Sequence, residues 1–593
     1  MTASNVLAPA AAGDGGDALL APSAALGDST IAGLTPQQRL AAGSNATKVF
    51  IKAGPGTGKT TVCAHRYGVH RFTATPDDQR AVVAVSFTRS ATRTLRRRVQ
   101  RLWGPSALSW PHRIVTLDTI MCELLHDLLG VGLLQWPNGH VTLEVHDSWA
   151  SFSGATWNRT AYSIGVHSGR VTVIPGFVAS RRSSVPATEA VPRIRQGICT
   201  HQDVRNVLEQ ALLHPACLAR VRHRLLTTMR ALVVDEVFDA NDLDIAIVEL
   251  ALSAGIAVTL VGDPWQALYA FRGARPELVP ELLVRTGVRT LPLTTSFRWR
   301  SEEQRDLAAT LRAGQPATLP VDSTGGTDSR IDVVLALTWK QTWAVGHHVL
   351  PLAFHAFKGG NEEAAATLLL NHITRNTLSE DATYLGDALT ALAILDVDVP
   401  RQLEPELQQV VEILRDDRTA ALNAAYARLV LVISGVSPRP MRKAHHAHTS
   451  RLADTAARLR YGGQLVPGLT THQAKGREWD RVGLRLSDGE QAALNGGLSE
   501  SSDTHRKLYV GHPRPLPHGR GLRGGGQARM PCAWERMSFV GNGRSLGRGR
   551  TSASAAERAR VPVIFVAGWP RQPGRGALVI TATKRLLARL DRR

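Results

Sequence analysis

Short apolar runs broken by Gly, Pro and acidic residues mark the first half of the chain. Lys48-Val49-Phe50-Ile51 predicts a buried strand, and Thr61-Val62-Cys63-Ala64-His65-Arg66 a helix start. Ala231-Leu232-Val233-Val234 predicts a second strand, ending in Asp235 and Glu236. Ile256-Ala257-Val258-Thr259-Leu260-Val261 predicts a third, ending at Gly262-Asp263. Further on the apolar period becomes 3.6. Glu362–Asn371, Glu404–Asp416 and Thr419–Ile433 predict amphipathic helices with no chemistry of their own. No apolar run approaches the ~20 residues that span a bilayer.

Between the first strand and its helix, residues 53–60 read Ala-Gly-Pro-Gly-Thr-Gly-Lys-Thr. This is a phosphate-binding loop in the strand–loop–helix setting that it requires. Along the nucleotide-binding stretch Ala53, Gly54, Pro55, Gly56, Thr57 and Gly58, the three glycines would let backbone N–H groups turn towards phosphate oxygens at a helix N-terminus. Thr61 closes the loop. Lys59 would reach the β- and γ-phosphates, and the Thr60 hydroxyl would hold Mg²⁺. The implied ligand is a nucleoside triphosphate with Mg²⁺. Such a loop needs a metal-binding carboxylate on another strand. Asp235 is placed for that, and Glu236 to orient and deprotonate a water.

Charge adds less than its total suggests. The 593 residues carry a net +20, but His512–Arg593 holds 17 Lys and Arg against 3 Asp and Glu. One segment therefore supplies most of the basicity, and the global charge is poor support for nucleic-acid binding. Residues 1–30 read as a disordered leader, rich in Ala, Gly and Asp, with no basic n-region. Cysteines 63, 122, 199, 217 and 532 are scattered, without a Cys-x-x-Cys pair. This spacing argues against a disulfide framework or zinc ribbon and fits a reducing cytosol. Lys443-Ala444-His445-His446-Ala447-His448 reads as a solvated loop, with no acid or cysteine beside it to complete a metal site.

Gly262-Asp263-Pro264-Trp265-Gln266-Ala267-Leu268-Tyr269-Ala270-Phe271-Arg272-Gly273-Ala274 changes the picture. With it the chain resembles superfamily 1 helicases of the UvrD/Rep-like group. Other elements follow in family order. Leu34–Ala41 lies upstream of the loop, Val85-Ser86-Phe87-Thr88-Arg89-Ser90-Ala91 follows it, and Val115–Ile120 is a weaker match. Thr295-Ser296-Phe297-Arg298-Trp299-Arg300-Ser301 resembles the family's Asn-Tyr-Arg-Ser element. Thr470-Thr471-His472-Gln473-Ala474-Lys475-Gly476-Arg477-Glu478-Trp479 resembles its Thr-x-His-x-x-Lys-Gly-x-Glu element, and His505–Val510 starts the last one. The resemblance covers roughly residues 34 to 510.

The resemblance implies an α/β fold with two RecA-like P-loop domains, each a parallel sheet, and inserted helical subdomains. It implies ATP between them, with Gln38 on adenine, Phe297 stacked nearby and Glu478 on the ribose. Gln266 would sense the γ-phosphate, and Arg298 would neutralise charge on the transferring phosphoryl group. Phe87, Tyr269 and Phe271 would stack on bases of single-stranded DNA, with Thr88, Arg272 and His472 on phosphates. The activity implied is ATP-driven translocation or unwinding, 3′→5′, on single strands or single-/double-strand junctions, in the cytoplasm and without a membrane. The expected division is 31–115 with 226–297 (domain 1A), 116–225 (1B), 298–345 with 461–511 (2A, incomplete), 346–460 (a reduced 2B) and 512–593 (an Arg/Gly-rich tail).

Two departures stand out. Asp235-Glu236-Val237-Phe238-Asp239 has Phe238 where the family carries a polar coupling residue. After Tyr509-Val510 the family reads Ala-x-Thr-Arg-Ala, whose arginine is a second finger, whereas this chain reads Gly511-His512-Pro513-Arg514-Pro515. Codons GGC-CAC-CCG-CGC-CCG read one base later give Ala-Thr-Arg-Ala-Arg. A tail out of frame beyond about Gly511 is one reading; a genuine Arg/Gly-rich nucleic-acid-binding tail is the other. Either way weak or absent ATPase is expected. An impaired homologue that binds nucleotide or DNA without unwinding, and a P-loop ATPase of another class, are the alternatives.

Overall fold

The computed structural model describes residues 33–75, 77–149, 152, 160–177, 185–299, 302–319, 331–394, 396, 398–442, 446–477, 479 and 481–511. The leader, the Arg/Gly-rich tail and Glu478 lie outside them.

The apolar runs build a six-stranded parallel sheet. Its strands lie in the order Arg289–Leu293, Lys48–Ala53, Ala257–Gly262, Met229–Val234, Ala81–Ser86 and Arg113–Thr116. Every residue of Ala81–Ser86 is buried, because helices cover both faces. Lys59–Phe72 and Arg89–Trp103 pack on one face, Leu117–Gly130 and Asp242–Ser253 on the other. A second, four-stranded parallel sheet runs Val349–Pro351, Val466–Thr470, Val333–Ala336, Val482–Arg485. The expected α/β class with two parallel sheets is therefore present. Val349–Pro351 falls inside the segment assigned above to the helical insertion, yet it pairs with Val466–Gly468 as an edge strand.

Two insertions interrupt the sheets. The first carries the antiparallel hairpin Thr160–His167/Arg170–Phe177 and a short parallel pair, Glu144–His146 with Ile198–Thr200. The second is helical. Asn361–Leu378, Glu404–Arg415 and Thr419–Ser434 match the predicted helices and share an apolar core around Leu369, Leu407, Val410 and Leu429. The histidine segment is corrected: His446–Leu459 is helix, not loop. Its Leu452 and Ala456 faces turn into the same core, which draws the chain into a helix. Among the described residues no helix is long and apolar enough to cross a membrane.

Phe238 has a packing explanation. It is buried against Phe50, with ring centroids 6.1 Å apart, and a Cβ on Gly262 would fall 2.8 Å from its ring. The position that departs from the family pattern is part of the apolar core.

Gly68 shows how close the packing is. A Cβ there would lie 1.9 Å from Trp103, whose indole N–H donates to Ala64 O at 2.9 Å. Alanine in a helix interior ordinarily gains about 1 kcal/mol over glycine. Here Gly68→Ala is expected to destabilise by about 1–3 kcal/mol, because overpacking displaces the indole. Urea denaturation checks this; unchanged or raised stability would refute it.

Candidate active site

The loop after Lys48–Ala53 holds its shape through left-handed Gly56 and Gly58, at φ 71° and 85°. Thr57 Oγ1 donates to Gly54 O at 2.9 Å. Gln38 Nε2 donates to Thr57 O at 2.9 Å, while its Oε1 accepts from Thr35 N at 3.0 Å. The side chain assigned to adenine thus braces the loop and caps the Pro36–Gly43 helix. Lys59 opens the Lys59–Phe72 helix, whose N-terminus favours anions. Its Nζ donates to Gln266 Oε1 at 2.8 Å and stands 4.0 Å from Glu236.

Asp235 follows the Met229–Val234 strand and is buried beneath this loop. Burial raises its pKa, and Glu236 raises it further against the pull of Lys59 and Lys475. Its Oδ1 is buried with no hydrogen-bond partner among the described residues. A buried orphan carboxylate oxygen beside a P-loop fits a divalent cation shared with Thr60. Burial, Asp235 and Glu236 also push the Cys63 thiol well up, leaving it inert.

Glu236 adopts φ 60°, ψ 45°, a left-handed conformation rare for a side-chain-bearing residue. Here the carboxylate stands between two ammonium groups, Lys59 at 4.0 Å and Lys475 at 3.7 Å. Lys475 is the functional residue that the sequence reading quoted but gave no role. Its Nζ donates to Asp239 Oδ2 at 2.6 Å and Gln266 O at 2.9 Å, and lies 5.2 Å from the Tyr269 ring centre. Burial lowers the pKa of Lys475, but Asp239 and Glu236 outweigh it and leave it raised. Asp239 is raised by burial, with Lys475 opposing.

Gln266 joins this cluster to another. Its Nε2 donates to Asp263 Oδ2 at 2.9 Å. Asp263 also takes Arg312, Nη1 to Oδ2 at 2.9 Å and Nη2 to Oδ1 at 3.0 Å. Arg312 Nη1 donates to Tyr509 Oη at 3.2 Å. Neither Arg312 nor Tyr509 carried an assigned role from sequence.

The Ser296–Trp299 segment lies on the loop. Ser296 Oγ donates to Pro55 O at 2.7 Å, and Phe297 N to Gly56 O at 2.9 Å. A Cβ on Gly56 would fall 2.3 Å from Arg298 Cβ, so glycine is required there for close approach as well as for φ. Phe297 is 59% exposed.

Beyond Gln266, Phe271 lies in the 3₁₀ turn Ala270–Arg272 and Tyr269 immediately precedes it, so neither is in a strand. Phe271 is 66% exposed. The Arg272 guanidinium lies 5.3 Å from the Tyr269 ring centre and 5.6 Å from that of Phe271. His472 packs edge-on to Phe271 at 5.2 Å, and its Nε2–H donates to Leu268 O at 2.8 Å. Burial lowers the His472 pKa. The structure thus brings Tyr269, Phe271, Arg272 and His472 together. Thr88 lies elsewhere, its hydroxyl capping the Arg89–Trp103 helix by accepting from Ala91 N at 3.1 Å. Phe87 is half-buried against the first core.

Residues 37–272, which hold the loop, the acidic pair and Gln266, match a family model described as an AAA domain. The chain is similar to ATP-dependent DNA helicase Rep of Salmonella typhimurium, 24% identical over 259 residues, covering 41% of this chain and 38% of that protein. Escherichia coli Rep matches at 25% with the same coverage. ATP-dependent DNA helicase UvrD1 of Mycobacterium leprae is 39% identical over 77 residues, 13% of this chain and 10% of the relative. The matched region thus spans 38% of the Rep relatives' length. Among solved structures, Pif1 helicase from Candida albicans covers 52% of each chain at 13% identity and TM-score 0.26. Unliganded Pif1 from Bacteroides covers 51% of this chain and 53% of its own at 14% identity and TM-score 0.25. Residues 37–272 thus match an AAA domain, and the chain is similar in part to UvrD/Rep-like helicases.

Proposed function

We propose that this chain is an ATP-dependent DNA translocase or helicase of the UvrD/Rep-like type, moving 3′→5′ on single-stranded DNA in the cytoplasm. The observation that carries the reading is the unbroken path from loop to aromatic face. Lys59 bonds the Gln266 side chain, Lys475 bonds the Gln266 backbone, and Leu268, two residues on, bonds His472. A change at the phosphates therefore moves the turn that carries Tyr269 and Phe271.

In this reading Lys59 and Arg298 neutralise phosphate charge, and Glu236 orients the attacking water and takes its proton. Gln266 exchanges Lys59 for phosphate, while Phe297 and Glu478 contact the nucleoside. Thr60 and Asp235 would hold Mg²⁺, which would supply neutralisation of phosphate charge. Tyr269 and Phe271 stack on bases, and Arg272 and His472 meet the backbone, with Phe87 and Thr88 further along the strand. The first sheet with its insertion forms domains 1A and 1B, and the second sheet forms 2A around a helical 2B. Alternate grip by the two would ratchet the strand as the cleft closes and opens.

The test is ATPase of the full chain with and without oligo-dT. Low basal hydrolysis, raised by single-stranded DNA, is expected. Hydrolysis indifferent to DNA would favour another P-loop class, and binding without hydrolysis an impaired homologue. Tyr269→Ala and Phe271→Ala should each weaken oligonucleotide binding by about 1–3 kcal/mol, equally across base sequences. Fluorescence anisotropy checks this, and unchanged affinity in both would place the strand elsewhere.

A further inference from the structure

Arg312 ends the Glu302–Arg312 helix and reaches back to the phosphate-binding loop. Its Nη1 would stand 3.8 Å from a Cβ on Gly54, so the guanidinium rests against the first turn of the loop. Arg298, just before the same helix, reaches the loop at Gly56. The loop thus meets the Arg298 backbone at Gly56 and the Arg312 guanidinium at Gly54.

The carboxylate that holds Arg312 is built to let it go. Asp263 is 1% exposed, and each of its oxygens has a second donor, Trp265 N on Oδ1 at 3.3 Å and Gln266 Nε2 on Oδ2 at 2.9 Å. Departure of Arg312 would leave both oxygens hydrogen-bonded, so the remaining cost is the buried charge itself, which the contact with a phosphate has to offset. On the far side the guanidinium lies 5.5 Å from the Tyr509 ring centre, a face that keeps its place as the group shifts. Asp263 is also tied through Gln266 to Lys59, which must turn to any phosphate that enters.

We propose that Arg312 is a second phosphate-binding arginine of this site. Its guanidinium passes from Asp263 to the terminal phosphate of a bound nucleoside triphosphate and reports that phosphate to the Glu302–Arg312 helix. This rests on the nucleotide reading above. Geometry points to Arg312, because among the described residues its side chain joins the loop, the Asp263–Gln266–Lys59 chain and Tyr509.

The test is equilibrium binding of two fluorescent nucleotides, ADP and a non-hydrolysable ATP analogue, to the full chain and its Arg312→Ala, Arg312→Lys and Asp263→Asn variants. Arg312→Ala should lose about 10- to 100-fold in triphosphate affinity, the worth of charged hydrogen bonds, with ADP affinity changed less than about twofold. Arg312→Lys, which folds with its charge intact, should recover only part, since an ammonium cannot make the paired contact. Asp263→Asn should hold triphosphate as tightly as the parent or more so. A purely structural strut predicts otherwise: equal losses for both nucleotides, with Asp263→Asn behaving like Arg312→Ala. That pattern, or an unchanged triphosphate-to-diphosphate ratio, overturns the proposal. If the parent binds neither nucleotide, the proposed function falls too; if it binds both and only the ratio fails to move, this inference alone falls.

Discussion

Glu236→Gln is expected to keep nucleotide affinity and to lower hydrolysis by about 10²- to 10⁴-fold, the usual worth of a positioned general base. The carboxamide has the size of the carboxylate and can take the same left-handed backbone conformation, so the loop above it need not move. It cannot accept a proton from water. Lys59 and Lys475 flank Glu236 at 4.0 Å and 3.7 Å. Single-turnover hydrolysis beside fluorescent-nucleotide binding separates the two effects. Parent-like hydrolysis would remove Glu236 from the role of base. Asp239 could not replace it directly, because Lys475 covers it at 2.6 Å.

What the sequence made legible was local. Glycines at 54, 56 and 58 followed by Lys59 dictate a loop shape within a few residues, and the strand, loop and helix follow it. The helices at 361–378, 404–415 and 419–434 were equally readable, because each repeats its apolar face over three turns or more. What escaped was long-range pairing. Lys475 meets Asp239 across 236 positions, and Arg312 meets Tyr509 across 197, with nothing local to announce either contact. Val349–Pro351 is too short to show a period. Gln38 and Thr88 were read for the ligands they might touch, but each is also a helix cap, a use that the same residue types serve equally well. Tyr269 and Phe271 share a period with strands, yet Phe271 sits in a 3₁₀ turn with Tyr269 just before it, and left-handed Gly273 ends that turn.

Lys475→Met should cost about 3–5 kcal/mol of folding stability, because it removes one partner of a buried ion pair and leaves the other. Asp239 is 4% exposed at its side chain, and the Lys475 ammonium lies 2.6 Å from it. Methionine fills most of the lysine volume, so the loss would come from charge and not from a cavity. The pH dependence distinguishes the two. Burial already raises the Asp239 pKa above its ordinary 3.8. A raised folded-state carboxyl gives stability that is fully present below the unfolded value and is lost as pH rises through the folded one. Without Lys475 the folded value climbs further, so the loss continues to higher pH. The variant's deficit should be small near pH 5, where Asp239 can protonate, and larger near pH 8. A cavity would give the same deficit at both. Adding Asp239→Leu should restore a large part of the lost stability, since two apolar groups can replace a buried pair at little cost. Hydrolysis should stay low in that double variant even when its melting temperature recovers. Lys475 also holds the Gln266 backbone and flanks Glu236, and neither contact returns with an apolar pair. Recovery of both together would show that Lys475 serves stability alone, and would break the path from the phosphate loop to the aromatic face.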